Sequence, residues 1–280
     1  MSSDCLVSRV ASHDSSSAEF IGVIPAAGIA SRLKPCRYVK ELLPVSYIVE
    51  GDPGSTMPVP VVELSLRALR AASVKRCIIA ISDRKPELMR YLGDGSDFGL
   101  EFAYVEQSRP TGLAAAVNLA YNWTHGSYCC LVLPDTIVYP STAMCQLVES
   151  MRTDPCNLAL AVFPTDTPEQ LGPVRFDSLG RVAEVLDKPR STDLYNTWAM
   201  AVWSPEFSDL LYHQLEESTN LALGEVFDLA VSKGLNVRAL WFPQGSFVDV
   251  GTGAGITAML EFSKTAKPVN TPCASVVSSK

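Results

Sequence analysis

Four basic side chains crowd one short stretch of an acidic chain. In AAGIASRLKPCRYVKELLPV, residues 26–45, the cations Arg32, Lys34, Arg37 and Lys40 follow three small residues, Ala26, Ala27 and Gly28. Small residues let a backbone come close to a ligand, and backbone amides beside clustered cations suit a polyphosphate. A solvated basic loop closing a turn would have the same composition. Neither G-x-x-x-x-G-K-[ST] nor G-x-G-x-x-G occurs, so the stretch is neither a Walker A loop nor a dinucleotide fingerprint, and a nicotinamide enzyme is disfavoured.

Two aspartates follow apolar runs, Asp135 in LVLPDTIVY and Asp249 in FVDVGTG. A buried carboxylate needs a partner, and one Mg²⁺ between two carboxylates beside a phosphate chain is a common oxygen-ligand arrangement. Taken singly, each aspartate also fits a turn or helix cap. In EQSRPTGLAAAV, Gln107 and Gly112 precede a helical pattern. The amide could read a base edge, and the glycine would let a base approach the backbone; an ordinary helix start is the alternative. Asp187 and Lys188, in EVLDKP, end a strand pattern. Lys188 could neutralise a phosphate, or form a surface pair worth at most about 1 kcal/mol.

The elements that must position these residues alternate in type. Apolar strand patterns run at Phe20–Pro25, 77–82, 100–106, 128–134 and 158–163. Helical periods lie between them: Val62, Leu66, Leu69 and Ala72, then Pro86–Leu92, Thr111–Trp123 and about Ser141–Met151. Such alternation predicts a parallel sheet covered on both faces, with ligands at the carboxyl ends of its strands. After residue 170 the pattern shifts to closely spaced strands at 173–177, 181–186 and 197–203. Helices follow at 205–217 and 224–233, then a strand at 235–241. Strand alternation puts Trp198 and Trp203 on opposite faces. One is expected to line the second half's pocket, though core packing suits both.

Composition removes other classes. The chain has 280 residues, 47% of them hydrophobic and 19% charged, which excludes disorder for the bulk. No run of about 18 apolar residues occurs, so no membrane span is expected. Net charge is −7, which disfavours nucleic acid or anionic membrane as bulk partners. The N-terminal MSSDCLVSRVASHDSSS is no signal peptide, so a cytoplasmic location and free thiols are expected for the eight cysteines. No C-x-x-C pair occurs, and Cys129 and Cys130 read as core. Residues 1–18 and 266–280 read as flexible tails around a 19–265 domain.

Taken in order, AAGIASRLKP, KELLPV, the Gln107-to-Gly112 segment, LVLPD, LDKP and FVDVGT resemble the sugar-1-phosphate nucleotidylyltransferases over about residues 20–263. The thymidylyl- and uridylyltransferase branch is the most similar. The resemblance implies an α/β, Rossmann-like three-layer fold with a mostly parallel central sheet and a sugar-binding half. The nucleotide-binding part would be about 19–140 and the acceptor-binding part about 141–265. It implies Mg²⁺-dependent transfer of a nucleoside monophosphate from a nucleoside triphosphate, dTTP or UTP favoured, to a sugar 1-phosphate, releasing pyrophosphate. By that resemblance Arg32, Lys40 and Lys188 are catalytic, and Ala26, Ala27, Gly28, Gln107 and Gly112 bind the nucleotide. Gly172, Asp187 and Lys188 bind the acceptor, and Asp135 and Asp249 hold the metal. A homo-oligomer is plausible on the same ground. Ala30 stands where the family has glycine, Ser31 where it has threonine, and Asp187 where it has glutamate. The alternatives are a cytidylyltransferase acting on a non-sugar phosphate or phosphonate, and a non-catalytic nucleotide- or sugar-binding subunit on the same scaffold.

Overall fold

A computed structural model describes residues 18–28, 33, 38–48 and 56–265. The expected tails lie almost wholly outside these residues, as do Arg32, Lys34 and Arg37. The chain runs β1 (Phe20–Pro25), β2 (Pro44–Ile48), β3 (Thr56–Pro60), α1 (Val61–Ala71), β4 (Arg76–Ile81), α2 (Pro86–Leu92) and β5 (Glu101–Glu106). It continues through α3 (Leu113–Asn118), α4 (Tyr121–Thr124), β6 (Tyr128–Leu131), β7 (Thr136–Tyr139), α5 (Ala143–Thr153) and β8 (Leu158–Pro164). The last part holds β9 (Val174–Phe176), β10 (Val182–Val185), β11 (Asn196–Trp203), α6 (Pro205–Glu217), α7 (Leu223–Ser232), β12 (Val237–Trp241), β13 (Ser246–Asp249) and α8 (Gly253–Thr265).

Seven strands form the central sheet in the order β12-β8-β11-β6-β1-β4-β5. β1 pairs in parallel with β4 and β6, β4 with β5, and β12 with β8, while β11 is antiparallel to both of its neighbours. The strands read as continuous apolar runs because both faces are covered. One face packs on α1, α2 and α5 through Val62, Leu66, Leu69, Leu88 and Leu147. The other packs on α3, α6 and α7 through Val117, Phe207, Leu211, Val226 and Phe227. Full burial of each such side chain stabilises by roughly 1.5–3 kcal/mol. The three-layer expectation holds.

The chain lays β1, β4 and β5 outward, then crosses back to set β6 on the other side of β1. That reversal opens a crevice at the carboxyl end of β1, where an open α/β sheet binds ligands.

The structure departs from the sequence expectation in several places, three of which bear on the site and its supports. The helix expected over Thr111–Trp123 is two pieces. Between them the backbone tightens to i→i+3 bonds, Ala120 N–H donating to Val117 O and Trp123 N–H to Ala120 O. Residues 44–60, given no element from the sequence, contain the β2–β3 antiparallel ribbon. It shares a small third core with β7 and α8, built on Val45, Val59, Val61, Ile137, Val250 and Met259. β11 carries a register shift between Trp198 and Met200. That shift puts Trp198 and Trp203 on one face, both against the α6–α7 layer, instead of on opposite faces. Cys77, Cys129, Cys130, Cys145 and Cys156 are free thiols in the core, as expected. Among the described residues no helix is long and apolar enough to cross a membrane.

Gly22 lets β1 sit tightly on its neighbours. An added Cβ would lie 2.6 Å from Cys77 Sγ and 3.0 Å from Leu69 Cδ1. Gly22→Ala is therefore expected to lower stability by about 1–3 kcal/mol in urea unfolding. Adding Cys77→Ala to the same chain is expected to recover most of that loss by removing the sulfur in the way.

Candidate functional site

The sheet hands its candidate residues to one rim. Ala26 and Ala27 leave β1 buried, and Gly28 emerges exposed. The Ala26 amide donates to Ala80 O at 2.7 Å, continuing the β1–β4 pairing past the strand end. Gln107 follows β5, and its amide donates to Ile81 O at 2.8 Å. Its side chain is buried, with Nε2 donating to Thr111 Oγ1 at 3.5 Å. Gly112 then starts α3 at φ +106°, a conformation that only glycine adopts readily.

Asp135 lies just beyond β6, 8% exposed. Its carboxylate takes an ion pair from Lys40 Nζ. Lys40 opens a 3-10 helix, Lys40–Leu42, at the far end of the basic loop. Burial works against the Lys40 charge, but Asp135, reinforced by Glu41 and Asp249, outweighs it and holds the ammonium above its ordinary range.

Asp249 reaches the same place by strand pairing. β13 runs antiparallel to β7 with Asp249 opposite Thr136, and the Val250 amide donates to the Asp135 carbonyl at 3.0 Å. The two expected metal aspartates are thus neighbours, 114 residues apart in the chain (249 minus 135). Asp249 Oδ1 accepts from the Gly251 amide at 2.7 Å. Two carboxylates are hard oxygen donors of the kind a divalent cation takes, and a cation on Asp135 would share that carboxylate with the Lys40 ammonium. Among the described residues no group of three or more His, Cys, Asp or Glu side chains is arranged for a metal. A cation here would complete its shell with ligand and water oxygens.

Two residues of this floor escaped the sequence reading. Lys85 is buried, 6% exposed, and its Nζ donates to Ala26 O and to Glu41 Oε1, each at 2.7 Å. Burial lowers the Lys85 pKa against the pull of Glu41, and raises that of Glu41 against the pull of Lys85. The second oxygen, Glu41 Oε2, is buried with no hydrogen-bond partner among the described residues. The sequence did carry a signal. Lys85 is the N-cap of α2, and a lysine offers no acceptor there and adds positive charge at the wrong helix end.

A second group gathers where β9 and β11 begin. The Gly172 amide donates to Thr197 Oγ1 at 3.1 Å, and the Trp198 amide donates to Gly172 O at 3.2 Å. A Cβ on Gly172 would run into the Trp198 indole nitrogen. That N–H is buried without a partner among the described residues. The Trp198 ring meets Phe227 edge-on, with centroids 5.1 Å apart. The Lys188 amide donates to Leu171 O at 2.8 Å, which holds Lys188 beside Gly172 at φ +46°, strained for a lysine. Its neighbour Asp187 lies against Gly224 in the first turn of α7, an electrostatically favourable place for a carboxylate. The structure therefore gathers Ala26, Ala27, Lys40, Asp135 and Asp249 on one floor, with Gln107 and Gly112 along the rim. It gathers Gly172, Asp187 and Lys188 in a separate group. Arg32 lies outside the described residues.

Known proteins resemble this chain over most of its described length. The family model for nucleotidyl transferases matches residues 21–265. A low-salt glycan biosynthesis nucleotidyltransferase, Agl11, of Haloferax volcanii is 30% identical over 202 residues, covering 70% of this chain and 52% of its own. A glucose-1-phosphate thymidylyltransferase of Neisseria meningitidis is 28% identical over 172 residues, covering 60% of this chain and 56% of its own. The match thus spans about half the length of these relatives. Among solved structures, the UTP-bound UGPase of Acinetobacter baumannii superposes with a TM-score of 0.69 at 17% identity, covering 90% of this chain and 95% of that one. At that identity the likeness is one of fold.

Gly112 isolates backbone strain from crowding, because an added Cβ there would meet open space. Gly112→Ala is expected to lower stability by about 1–3 kcal/mol in urea unfolding, the strain of its backbone conformation alone.

Proposed function

The chain belongs to the nucleotidyl transferase family, and within it we propose that this protein joins a nucleoside triphosphate to a sugar 1-phosphate in the cytoplasm, forming a nucleotide sugar and releasing pyrophosphate. One observation carries the reading: Lys40, Asp135 and the Asp249 strand converge on one rim. The thymidylyltransferase relative and the UTP-bound neighbour favour dTTP or UTP as donor. The nucleotide half would be about 19–140, supplying Lys40, Gln107, Gly112 and Asp135. The acceptor half would be about 141–265, supplying Gly172, Asp187 and Lys188, with Asp249 returning to the first half.

A sugar phosphate is already an anion near neutral pH, so its attack on the α-phosphorus needs no general base. The barrier is charge repulsion and misorientation. Ala27 and Gly28 amides and Arg32 would hold the triphosphate tail, Arg32 stabilising the charge that grows on departing pyrophosphate. Lys40, one side chain from Asp135, would reach the same phosphates. Lys188 would hold the acceptor phosphate in line, and Asp187 a sugar hydroxyl. Gln107 and the bare backbone at Gly112 would receive the base. Asp135 and Asp249 would hold Mg²⁺, which would supply positive charge to neutralise the phosphates.

The test is pyrophosphate release by the purified protein. Five nucleoside triphosphates are crossed with several sugar 1-phosphates and a few alcohol phosphates, with and without chelator. Release is expected only with metal and only for a pyrimidine triphosphate paired with a sugar 1-phosphate. Release with CTP and an alcohol phosphate would move the assignment to the cytidylyl alternative. Arg32→Ala and Asp135→Asn are each expected to cut turnover at least about 100-fold. The amide replacing Asp135 keeps an oxygen for Lys40, so a circular-dichroism melt is expected to show the fold intact. Near-normal turnover in either folded variant would overturn the assignment.

A further inference from the structure

One ammonium holds both ends of the basic loop. Lys85 Nζ donates to the Ala26 carbonyl, where the loop leaves β1, and to Glu41, where the loop ends. These partners lie 59 and 44 residues away in sequence. The cation sits at a helix N-terminus and is almost fully buried, and both circumstances disfavour a lysine. No cap bond explains it, since its side chain makes none. Its two bonds into the loop do.

Peptide geometry says what the first bond does. A trans peptide points its carbonyl and the following N–H in opposite directions. Drawing Ala26 O down onto Lys85 therefore turns the Ala27 N–H up, away from the floor. The second bond fixes Glu41, and with it the 3-10 turn that aims Lys40 at Asp135. A single side chain thus sets a backbone donor at one end of the loop and a cation at the other.

We infer that Lys85 is a positioning residue for the triphosphate. It does not touch the reactants; it orients the Ala27 amide and the Lys40 ammonium that would. The inference rests on the nucleotide reading proposed above. A purely structural role would be the buried Lys85–Glu41 pair alone, and the two roles separate when that pair is removed together.

Four proteins are compared: the wild type, Lys85→Met, Lys85→Arg, and Lys85→Met with Glu41→Met. Dissociation constants for dTTP and UTP are measured by calorimetry, alongside melting temperature and, with the active substrate pair, the acceptor KM. Lys85→Met leaves Glu41 buried without its cation and is expected to melt lower and to bind triphosphate at least about tenfold more weakly. The double variant is expected to recover most of the melting temperature but not the affinity. Lys85→Arg, which keeps a charged donor, is expected to recover part of the affinity. The acceptor KM is expected to stay within about twofold throughout. Triphosphate affinity in the double variant within about twofold of wild type would overturn the positioning role, as would an acceptor KM that moves as far as the triphosphate affinity. A wild type that binds neither triphosphate would be a different failure, that of the nucleotide reading, and would take this role down with it.

Discussion

A carboxylate at the mouth of an apolar strand must be met by positive charge, and much of this structure follows from how Asp135 is met. β6 buries Cys129, Cys130 and Leu131 between two helical layers and then delivers Asp135 to the rim. Left alone there, the carboxylate would lose solvation without recompense. Lys40 supplies the charge, and it can do so only because the loop from β1 returns to the same rim. That return is in turn fixed by Lys85, which ties Ala26 to Glu41. Two buried pairs side by side, Lys40 with Asp135 and Lys85 with Glu41, join β1, the 3-10 turn, the start of α2 and the β6–β7 corner into one floor.

The same constraint explains the small β7–β13 ribbon. It lies outside the main sheet and joins residues far apart in the chain. Its backbone bonds set Asp249 beside Asp135, which two independent loops could not do reliably. Like charges so placed repel unless cations lie close, and Lys40 already feels both carboxylates. The third core, with Val45, Val59, Ile137 and Val250, holds this ribbon against β2 and β3. The apolar packing there is modest, yet it fixes the carboxylates that the proposed chemistry needs.

What the sequence made legible was whatever local pattern carries. Fully buried strands such as β1 and β8 show as apolar runs, and α1 shows its inward face as Val62, Leu66 and Leu69. Asp135, Asp249 and Lys40 were legible because each follows or precedes such a run. Long-range pairing was not. The β2–β3 ribbon carries Pro44, Pro58 and Pro60, which argue against a strand unless the pairing leaves their missing donors outside the ladder. The β11 bulge is set by pairing with β8, so alternation along β11 alone misplaced Trp198. Lys85 sits in a polar turn, SDRKPEL, and becomes buried only when β1 and the 3-10 turn close over it.

Charge distribution gives the last step. The chain carries a net charge of −7, so its overall field opposes an approaching polyphosphate. Beyond about 8 Å at physiological ionic strength that field is largely screened, whereas partly buried charges are screened far less. On the covered floor Lys40 and Lys85 are each matched by a carboxylate, Asp135 and Glu41, with Asp249 close to Lys40. The positive charge a triphosphate needs therefore falls to the further cations of the 26–45 stretch, Arg32, Lys34 and Arg37, and to the proposed metal. The burial that makes Lys85 hard to keep charged is also what makes its hold on Ala26 and Glu41 strong. An acidic protein built this way attracts a polyanion only once the polyanion is in the crevice, and recognition rests on the geometry of that floor more than on net charge.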